Sequence, residues 1–157
     1  MVNVLFVCLG NICRSPSAEG VFRALVAEAE LSHRIGTDSA GTGAWHIGKP
    51  PDLRAQAEAK RRGIDVSDLR ARRVRPSDFM AFDYVLAMDR SNHADLAALC
   101  PRGEEHRLAL FLDFAGDHGP REVPDPYYDG HAAFARMFDL IEAGAHGLLS
   151  HIRHVHL

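Results

Sequence analysis

Long hydrophobic runs, cysteine and net charge are all in short supply in this 157-residue sequence. No apolar stretch approaches the roughly 20 residues that a membrane-spanning helix needs, so no membrane association is expected. Only three cysteines are present, without zinc-type spacing, which argues against a disulfide scaffold or a structural metal and favours the reducing cytoplasm. A formal net charge of -3 gives no electrostatic basis for binding nucleic acid.

The composition is otherwise that of an ordinary globular protein, with 46% hydrophobic and 25% charged residues. The length suits a single domain over residues 1–157. The first apolar stretch, 2–9, has neither a basic region before it nor a small-residue cleavage site after it. A secretory signal is therefore not expected.

Strand-like and helix-like segments alternate along the chain. The β-branched and aromatic residues of 2–7 predict a strand that is buried on both faces. Ser15 and Pro16 then supply a helix N-cap and a first-turn proline. Apolar residues recur at helical spacing from there to about Glu30, which predicts the first helix.

Later segments repeat this alternation. Strands are predicted over 35–40, 84–88 and within 106–112, helices over 52–62, 91–99 and 131–152, and a surface loop over 116–130. This order predicts an α/β fold with a four-stranded, doubly wound parallel sheet flanked by helices. Ligands of such sheets bind at the carboxyl ends of the strands, which directs attention to the loop after the first strand.

That loop places a thiol beside a helix N-terminus. Cys8 ends the predicted strand, and Arg14 and Ser15 stand where the loop enters the helix. Loop amides and the helix dipole favour both an anion and a thiolate there, so Cys8 is predicted to be a nucleophile. The planar guanidinium of Arg14 suits two phosphate oxygens, and the hydroxyl of Ser15 can cap the helix or approach the sulfur.

A cysteine six residues before an arginine is a weak signal by itself, because three cysteines among many arginines produce this spacing by chance. The position of Cys8 between a buried strand and a capped helix is what distinguishes it from a structural core thiol. Cys13 has two interpretations. It is either a core thiol or a redox partner that forms a reversible disulfide with Cys8.

Residues 7–16, VCLGNICRSP, resemble the phosphate-binding loop of the low-molecular-weight protein tyrosine phosphatases. The resemblance covers almost the whole chain. Segment 39–42 resembles the end of the second strand of that family, and Trp45 together with 50–52 resembles its recognition loop. Segment 82–92 resembles a further block of the family, and 123–128 resembles its general-acid loop. The blocks together, in this order, are a far more specific signal than any one of them.

The resemblance implies a double displacement at phosphorus. Cys8 attacks and forms a phosphocysteine, while Arg14 and the loop amides hold the equatorial oxygens. Asp125 protonates the leaving phenol oxygen and then deprotonates the water that hydrolyses the intermediate. No metal ion or other cofactor is expected, because the loop and Arg14 supply the positive charge.

The resemblance also implies supporting roles for the loop and its surroundings. The residues expected to bind phosphate are Leu9, Gly10, Asn11, Ile12, Cys13, Arg14 and Ser15. Asn11 is expected to brace the loop through hydrogen bonds that include Ser15 and Ser39.

A further set is expected to form the apolar walls that accept a flat phenyl ring: Leu9, Trp45, Tyr127 and Tyr128. A deep slot of this kind favours phosphotyrosine over the shorter phosphoserine.

One position departs from the family pattern. Many relatives carry a histidine just before the Arg-Ala-Arg segment, where it helps to fix the loop asparagine, whereas here Leu69 precedes 70–72. The role of that histidine is therefore either absent or moved. This departure affects the expected rigidity of the loop and the expected pKa of the thiol, and it leaves the reaction itself unchanged.

Two other functions stay open at this point. An arsenate reductase on the same fold uses the same loop but needs two further cysteines close together, and beyond the loop this chain has only Cys100. A non-catalytic phosphotyrosine-binding module is disfavoured because nucleophile, arginine and acid are all present. For the phosphatase, the expected partner is a phosphotyrosine-containing protein, such as a tyrosine kinase, in the cytoplasm.

Overall fold

Four parallel strands lie at the centre of the computed structural model, which describes residues 1–157. They are β1 (Val2–Cys8), β2 (Ile35–Gly41), β3 (Tyr84–Ala87) and β4 (Leu108–Leu110). Their order across the sheet is β2-β1-β3-β4, so the chain adds β2 on one side of β1 and then crosses to the other side. This confirms the predicted doubly wound sheet and puts the switch in strand order at the carboxyl end of β1.

Five helices cover the sheet: α1 (Arg14–Glu28), α2 (Leu53–Arg61), α3 (Asp78–Ala81), α4 (Arg90–Leu99) and α5 (His131–His156). Only α3 lacks a counterpart among the predicted helices, because one turn is too short to show a period. The segment 116–130, called here the acid loop, contains no helix or strand, as predicted. None of the helices combines the length and the apolar character that crossing a membrane requires.

Strand β1 is buried on both faces. Phe6 lies in the larger core between the sheet and helices α1 and α5, edge to face with Phe22 at a centroid distance of 5.7 Å. Val7 faces the smaller core on the opposite side, under α3 and α4. Close packing on both sides leaves β1 little freedom to move, so Cys8 at its end has a fixed position.

The start of α1 differs from the prediction. The helix begins at Arg14 with Cys13 at the N-cap position, and no side chain caps it. Ser15 lies inside the first turn, where its hydroxyl contacts Cys8 and Asn11. The prediction that Ser15 caps the helix is therefore wrong, because hydrogen bonds within the loop take up its hydroxyl.

The end of α5 also differs, since the helix continues beyond the predicted end at residue 152 to His156. The ring of His156 packs edge-on against Tyr84, and its Nε2 lies 2.9 Å from the hydroxyl of Tyr84. This contact with the sheet accounts for the additional turn.

Gly147 marks a close approach between α5 and the turn that follows β4. A Cβ at this position would overlap the carbonyl oxygen of Phe114. We expect Gly147→Ala to lower the free energy of unfolding by about 2 kcal/mol or more, despite the better helix propensity of alanine. Urea denaturation measures the loss.

Gly130→Ala is the matched control, because a Cβ there would meet no atom within 4 Å. Because Gly130 is the N-cap of α5, where glycine is preferred over alanine, the change should cost no more than about 1 kcal/mol. A loss of that small size in Gly147→Ala would contradict the close approach.

Candidate active site

Cys8 is the last residue of β1, and its Sγ lies at the N-terminus of α1. The side chain is only 2% exposed. Backbone N–H groups of Asn11 and Ser15 donate to Sγ at 3.3 and 3.4 Å, and the hydroxyl of Ser15 lies 3.0 Å away. Several polar hydrogens at the positive end of a helix dipole therefore face this sulfur.

The loop between β1 and α1 presents unpaired amides to a pocket of about 440 Å³. The backbone N–H groups of Leu9, Gly10, Ile12, Cys13 and Arg14 donate to no acceptor within the protein. The same five residues line the pocket together with Cys8. Amides that surround a cavity at a helix N-terminus form a site for an anion such as phosphate.

Asn11 makes hydrogen bonds on both sides of this loop. Its φ of 56° lies in the left-handed region, which asparagine adopts more readily than most residues. Its Nδ2 donates to the hydroxyls of Ser15 and Ser39 at 2.7 and 3.1 Å, and its Oδ1 accepts the backbone N–H of Arg72 at 3.0 Å. Every polar atom of the side chain therefore has a partner.

Leu69 offers no polar group to this network. It is half-buried and lines a small crevice that also borders Asn11 and Ser39. The backbone N–H of Arg72 provides the donor for the asparagine carbonyl. The loop asparagine is thus held by the main chain and two serines, without a contribution from the side chain of Leu69.

Arg14 is held deep in the site and is 3% exposed. Its Nη1 donates to a carboxylate oxygen of Asp89 at 2.6 Å and to the carbonyl oxygen of Val123 at 3.1 Å. Burial works against the charged form, but the neighbouring Cys8 and Asp89 outweigh it and raise the pKa of Arg14. The guanidinium is therefore a permanent cation in a fixed orientation.

Asp125 reaches the same pocket from the acid loop. The backbone N–H of Val123 donates to the carbonyl oxygen of Met88 at 2.8 Å, which fastens the loop to the end of β3. Asp125 is exposed; its Oδ1 accepts the backbone N–H of Tyr127 at 3.1 Å, and its Oδ2 lies 3.7 Å from Nη2 of Arg14. A carboxyl group therefore stands at the pocket mouth, facing the arginine.

Aromatic rings form the rim of the pocket. Tyr127 is half-buried, with its ring centroid 5.0 Å from that of Tyr128 and 6.4 Å from that of His46. Trp45 is 69% exposed, so it is not a core residue. Leu9, Trp45, Tyr127 and Tyr128, the predicted wall residues, all border this one pocket.

Two residues of the site were missed by the sequence analysis. Asp89 follows β3 directly, caps α4 through the backbone N–H of Asn92 and pairs with Arg14. The rule that ligands gather at the carboxyl ends of strands would have pointed to it. His46 lines the pocket beside Gly10, and its only sequence signal is that it follows Trp45.

Cys13 differs chemically from Cys8 although both are buried. Burial, together with the charges of Asp52 and Cys8, raises the pKa of Cys13 well above its ordinary value. Cys13 is therefore a thiol at neutral pH, and only Cys8 has the surroundings of a nucleophile. A reversible disulfide between the two stays a prediction.

Glu19 on α1 is a buried acid beneath the loop. It is 5% exposed, and its Oε1 accepts the hydroxyl hydrogen of Ser39 at 2.8 Å. Burial raises the pKa of Glu19 to about 7; the hydrogen bond from Ser39 lowers it and the negative charge of Asp38 raises it.

Glu19 is expected to make the protein less stable as the pH rises. The folded protein keeps a proton that the unfolded chain releases between the ordinary pKa of 4.5 and about 7. The stabilisation is therefore complete below the lower value and lost as the pH rises through the higher one. Glutamine has no such proton to lose. We therefore expect the free energy of unfolding of Glu19→Gln, relative to that of the native chain, to rise by about 2–3 kcal/mol between about pH 5 and pH 8.

Urea denaturation at the two pH values measures this difference. Glu28→Gln, an exposed substitution on the same helix, is the control and should show no such growth. A difference between Glu19→Gln and the native chain that is the same at both pH values would contradict the raised pKa.

An anion site built around a buried cysteine sulfur, at the switch point of a parallel sheet, is typical of cysteine-dependent phosphatases. Comparisons agree with this class. Residues 3–156 match the family model described as low molecular weight phosphotyrosine protein phosphatase.

Relatives match along almost the whole chain. YfkJ of Bacillus subtilis, a low molecular weight protein-tyrosine-phosphatase, is 43% identical over 153 residues, which cover 98% of this chain and 97% of YfkJ. The phosphatase of Schizosaccharomyces pombe is 48% identical over 138 residues, covering 87% and 88% of the two chains. The crystal structure of a protein tyrosine phosphatase from Entamoeba histolytica has a TM-score of 0.95 and 38% identity, with full coverage of both chains.

The chain belongs to the low molecular weight phosphotyrosine protein phosphatase family. It is an enzyme that hydrolyses phosphotyrosine through a phosphocysteine intermediate, the mechanism that is general for this family. The predicted family and reaction are confirmed. The comparisons support neither of the two alternatives, an arsenate reductase and a non-catalytic binding module.

Proposed function

We propose that Cys8, Arg14 and Asp125 perform this reaction as nucleophile, transition-state cation and general acid. The observation that carries the proposal is their convergence on one pocket. The sulfur lies at the helix N-terminus, five unpaired amides surround the same space, and the carboxyl of Asp125 faces the guanidinium of Arg14 at 3.7 Å. Nucleophile, anion site and proton donor thus have the relative positions that phosphoryl transfer requires.

In the first step, Sγ of Cys8 forms a bond to phosphorus while the bond from phosphorus to the tyrosyl oxygen breaks. The loop amides and Arg14 hold the equatorial oxygens, whose charge they are preorganised to receive. Asp125 gives its proton to the leaving oxygen. This assistance is needed because a phenol with a pKa of about 10 leaves poorly as an anion at neutral pH.

In the second step, the Asp125 carboxylate takes a proton from a water molecule that attacks phosphorus. The bond between sulfur and phosphorus breaks, and inorganic phosphate and the thiolate are released. The N–H groups of Asn11 and Ser15 and the hydroxyl of Ser15 stabilise that thiolate. The same groups therefore favour attack in the first step and departure in the second.

The rim supports selection of phosphotyrosine. Leu9, Trp45, Tyr127 and Tyr128 place apolar surface on the walls above a buried sulfur. A phenyl ring fills such a slot and carries phosphorus down to Cys8, whereas the shorter phosphoserine leaves phosphorus near the mouth.

Rapid alkaline denaturation during turnover tests the assignment of Cys8. We expect a phosphoryl group on the peptide 1–14, which contains both loop cysteines, and fragmentation should assign it to Cys8 and not to Cys13. Failure to find phosphate on any cysteine, under conditions in which a phosphocysteine standard survives, would overturn the proposed roles.

We further propose that the protein substrate is a tyrosine kinase that carries its own phosphotyrosine, in the reducing cytoplasm. The reaction requires Cys8 as a free thiol, which a reducing compartment maintains. Asp125→Ala keeps the nucleophile but lacks the proton donor, so it should retain the phosphorylated partner long enough for isolation. Isolation of phosphotyrosine proteins other than kinases would contradict this choice of partner.

A further inference from the structure

A chain of hydrogen bonds connects Glu19, which the reaction does not use, to the nucleophile. Oε1 of Glu19 lies 2.8 Å from Oγ of Ser39, which lies 3.1 Å from Nδ2 of Asn11. The same Nδ2 lies 2.7 Å from Oγ of Ser15, which lies 3.0 Å from Sγ of Cys8. All five side chains are buried, so solvent does not compete for these bonds.

The direction of each proton in this chain is fixed by Asn11. Its Oδ1 accepts the backbone N–H of Arg72, which settles which end of the amide is nitrogen. Because Nδ2 can only donate, the oxygens of Ser39 and Ser15 both accept from it. The single proton of Ser39 is therefore left for Glu19. That of Ser15 is left for the sulfur at 3.0 Å, which is nearer than its other acceptor, the carbonyl oxygen of Ala40 at 3.3 Å.

We propose that Glu19 is a positioning residue for the nucleophile: its carboxylate holds the hydroxyl of Ser39, Ser39 orients Asn11, and Asn11 turns the hydroxyl of Ser15 toward Cys8. This inference rests on the proposed role of Cys8. A hydrogen bond to a carboxylate is about twice as strong as one to a neutral acceptor. Ionisation of Glu19 therefore tightens the chain, and protonation loosens it.

The charges around Glu19 allow both states near neutral pH. The groups that face it are Arg23 on its own helix, Asp38 on β2 and Asp68 in the turn before 70–72. The nearest cation is shared, because Arg23 pairs with Asp68 at 3.0 Å. Asp38 is likewise engaged by Arg72 at 3.1 Å. Glu19 has no ion pair of its own, and with burial this holds its pKa at about 7.

Glu19→Gln separates ionisation from hydrogen bonding. The glutamine carbonyl still accepts the proton of Ser39 but never becomes a carboxylate. We expect the ratio of kcat/KM between the native chain and Glu19→Gln, on one aryl phosphate, to be near one at low pH. It should rise to roughly threefold to tenfold at high pH, with a midpoint near 7. A ratio that is constant or falls with pH would overturn the proposal.

Ser39→Ala is the background for a second comparison, because it interrupts the chain of hydrogen bonds without removing Glu19. In that background, Glu19→Gln should produce no pH-dependent ratio. A ratio that rises as before would mean that the charge of Glu19 acts directly on the sulfur, and the positioning role would be wrong. Formation of phosphocysteine on Cys8 does not depend on this ratio, so failure here is distinguishable from failure of the proposed catalytic roles.

A measurement on the native chain removes any dependence on how the variants fold. The side-chain amide signals of Asn11 in a nitrogen-15 spectrum should shift with a midpoint near 7 as Glu19 ionises. The same signals should stay in place over this range in Glu19→Gln. Signals that do not move in the native chain, or that move equally in both proteins, would contradict the inference.

Discussion

Cys8→Ser is expected to lower kcat on aryl phosphates by at least about four orders of magnitude. The serine hydroxyl replaces a sulfur that has three polar contacts at the positive end of a helix dipole, and a hydroxyl stays protonated at the same place. Arg14 and the loop amides are unchanged in this variant. Binding of inorganic phosphate, measured by calorimetry, should therefore change by no more than about threefold while turnover is lost.

The other two cysteines provide the controls for this loss. Cys100 is half-buried at the end of α4, away from the pocket lining, so Cys100→Ser should leave kcat unchanged. Cys13→Ser removes the neighbouring thiol, which stays protonated, and should keep most of the activity. Equal losses in Cys8→Ser and Cys13→Ser would show that the loop as a whole, and not the sulfur of Cys8, is responsible.

Asp125→Asn is expected to produce a loss that depends on the leaving group. For phenols with a pKa of about 10, kcat/KM should fall by about 100-fold to 1000-fold, because the leaving oxygen no longer receives a proton. For phenols with a pKa of about 7 the loss should be less than about tenfold, since these leave readily as anions. A plot of log kcat/KM against leaving-group pKa should therefore be steeper than for the native chain.

Asp129→Asn is the matched control for this series, because Asp129 is another exposed acid of the acid loop but does not line the pocket. It should reproduce the native slope. If Asp125→Asn caused losses of the same size for all leaving groups, Asp125 would not be the general acid and would contribute to binding only.

The sheet and the nucleophile loop were accessible from the sequence because both depend on local patterns. Burial on both faces makes β1 a continuous apolar run, and Cys8 follows it directly. The helix that starts within a few residues shows its period clearly. The doubly wound, parallel arrangement was accessible for a related reason, since alternating strands and helices allow few arrangements. These features require no knowledge of distant contacts.

The partners of the central residues were not accessible, because they come from distant parts of the chain. Asp89 pairs with Arg14 across 75 positions, and the backbone N–H of Arg72 reaches Asn11 across 61. The second contact holds the asparagine carbonyl without any group from Leu69. The donor that fixes the asparagine is a main-chain group, whose identity no side chain in the sequence reveals.

The role of Glu19 was also not predictable from the sequence, because its burial depends on distant contacts. A glutamate on a helix is normally solvated, and nothing in the pattern of α1 marks this one as buried. Its burial follows from the packing of α1 on β2, where Ser39 is its partner. The error at Ser15 has a similar origin, since a serine before a proline reads as a cap until the loop that competes for its hydroxyl is known.

Alkylation with iodoacetate at about pH 6 tests the claim that Cys8 is held as a reactive thiolate in an anion site. Exposure alone favours Cys100, because it is half-buried while Cys8 is 2% exposed. If the claim is correct, mass spectrometry should find Cys8 alkylated at least about 100-fold faster than Cys100, and inorganic phosphate should protect it. Alkylation of Cys8 no faster than that of Cys100, or unaffected by phosphate, would contradict the account.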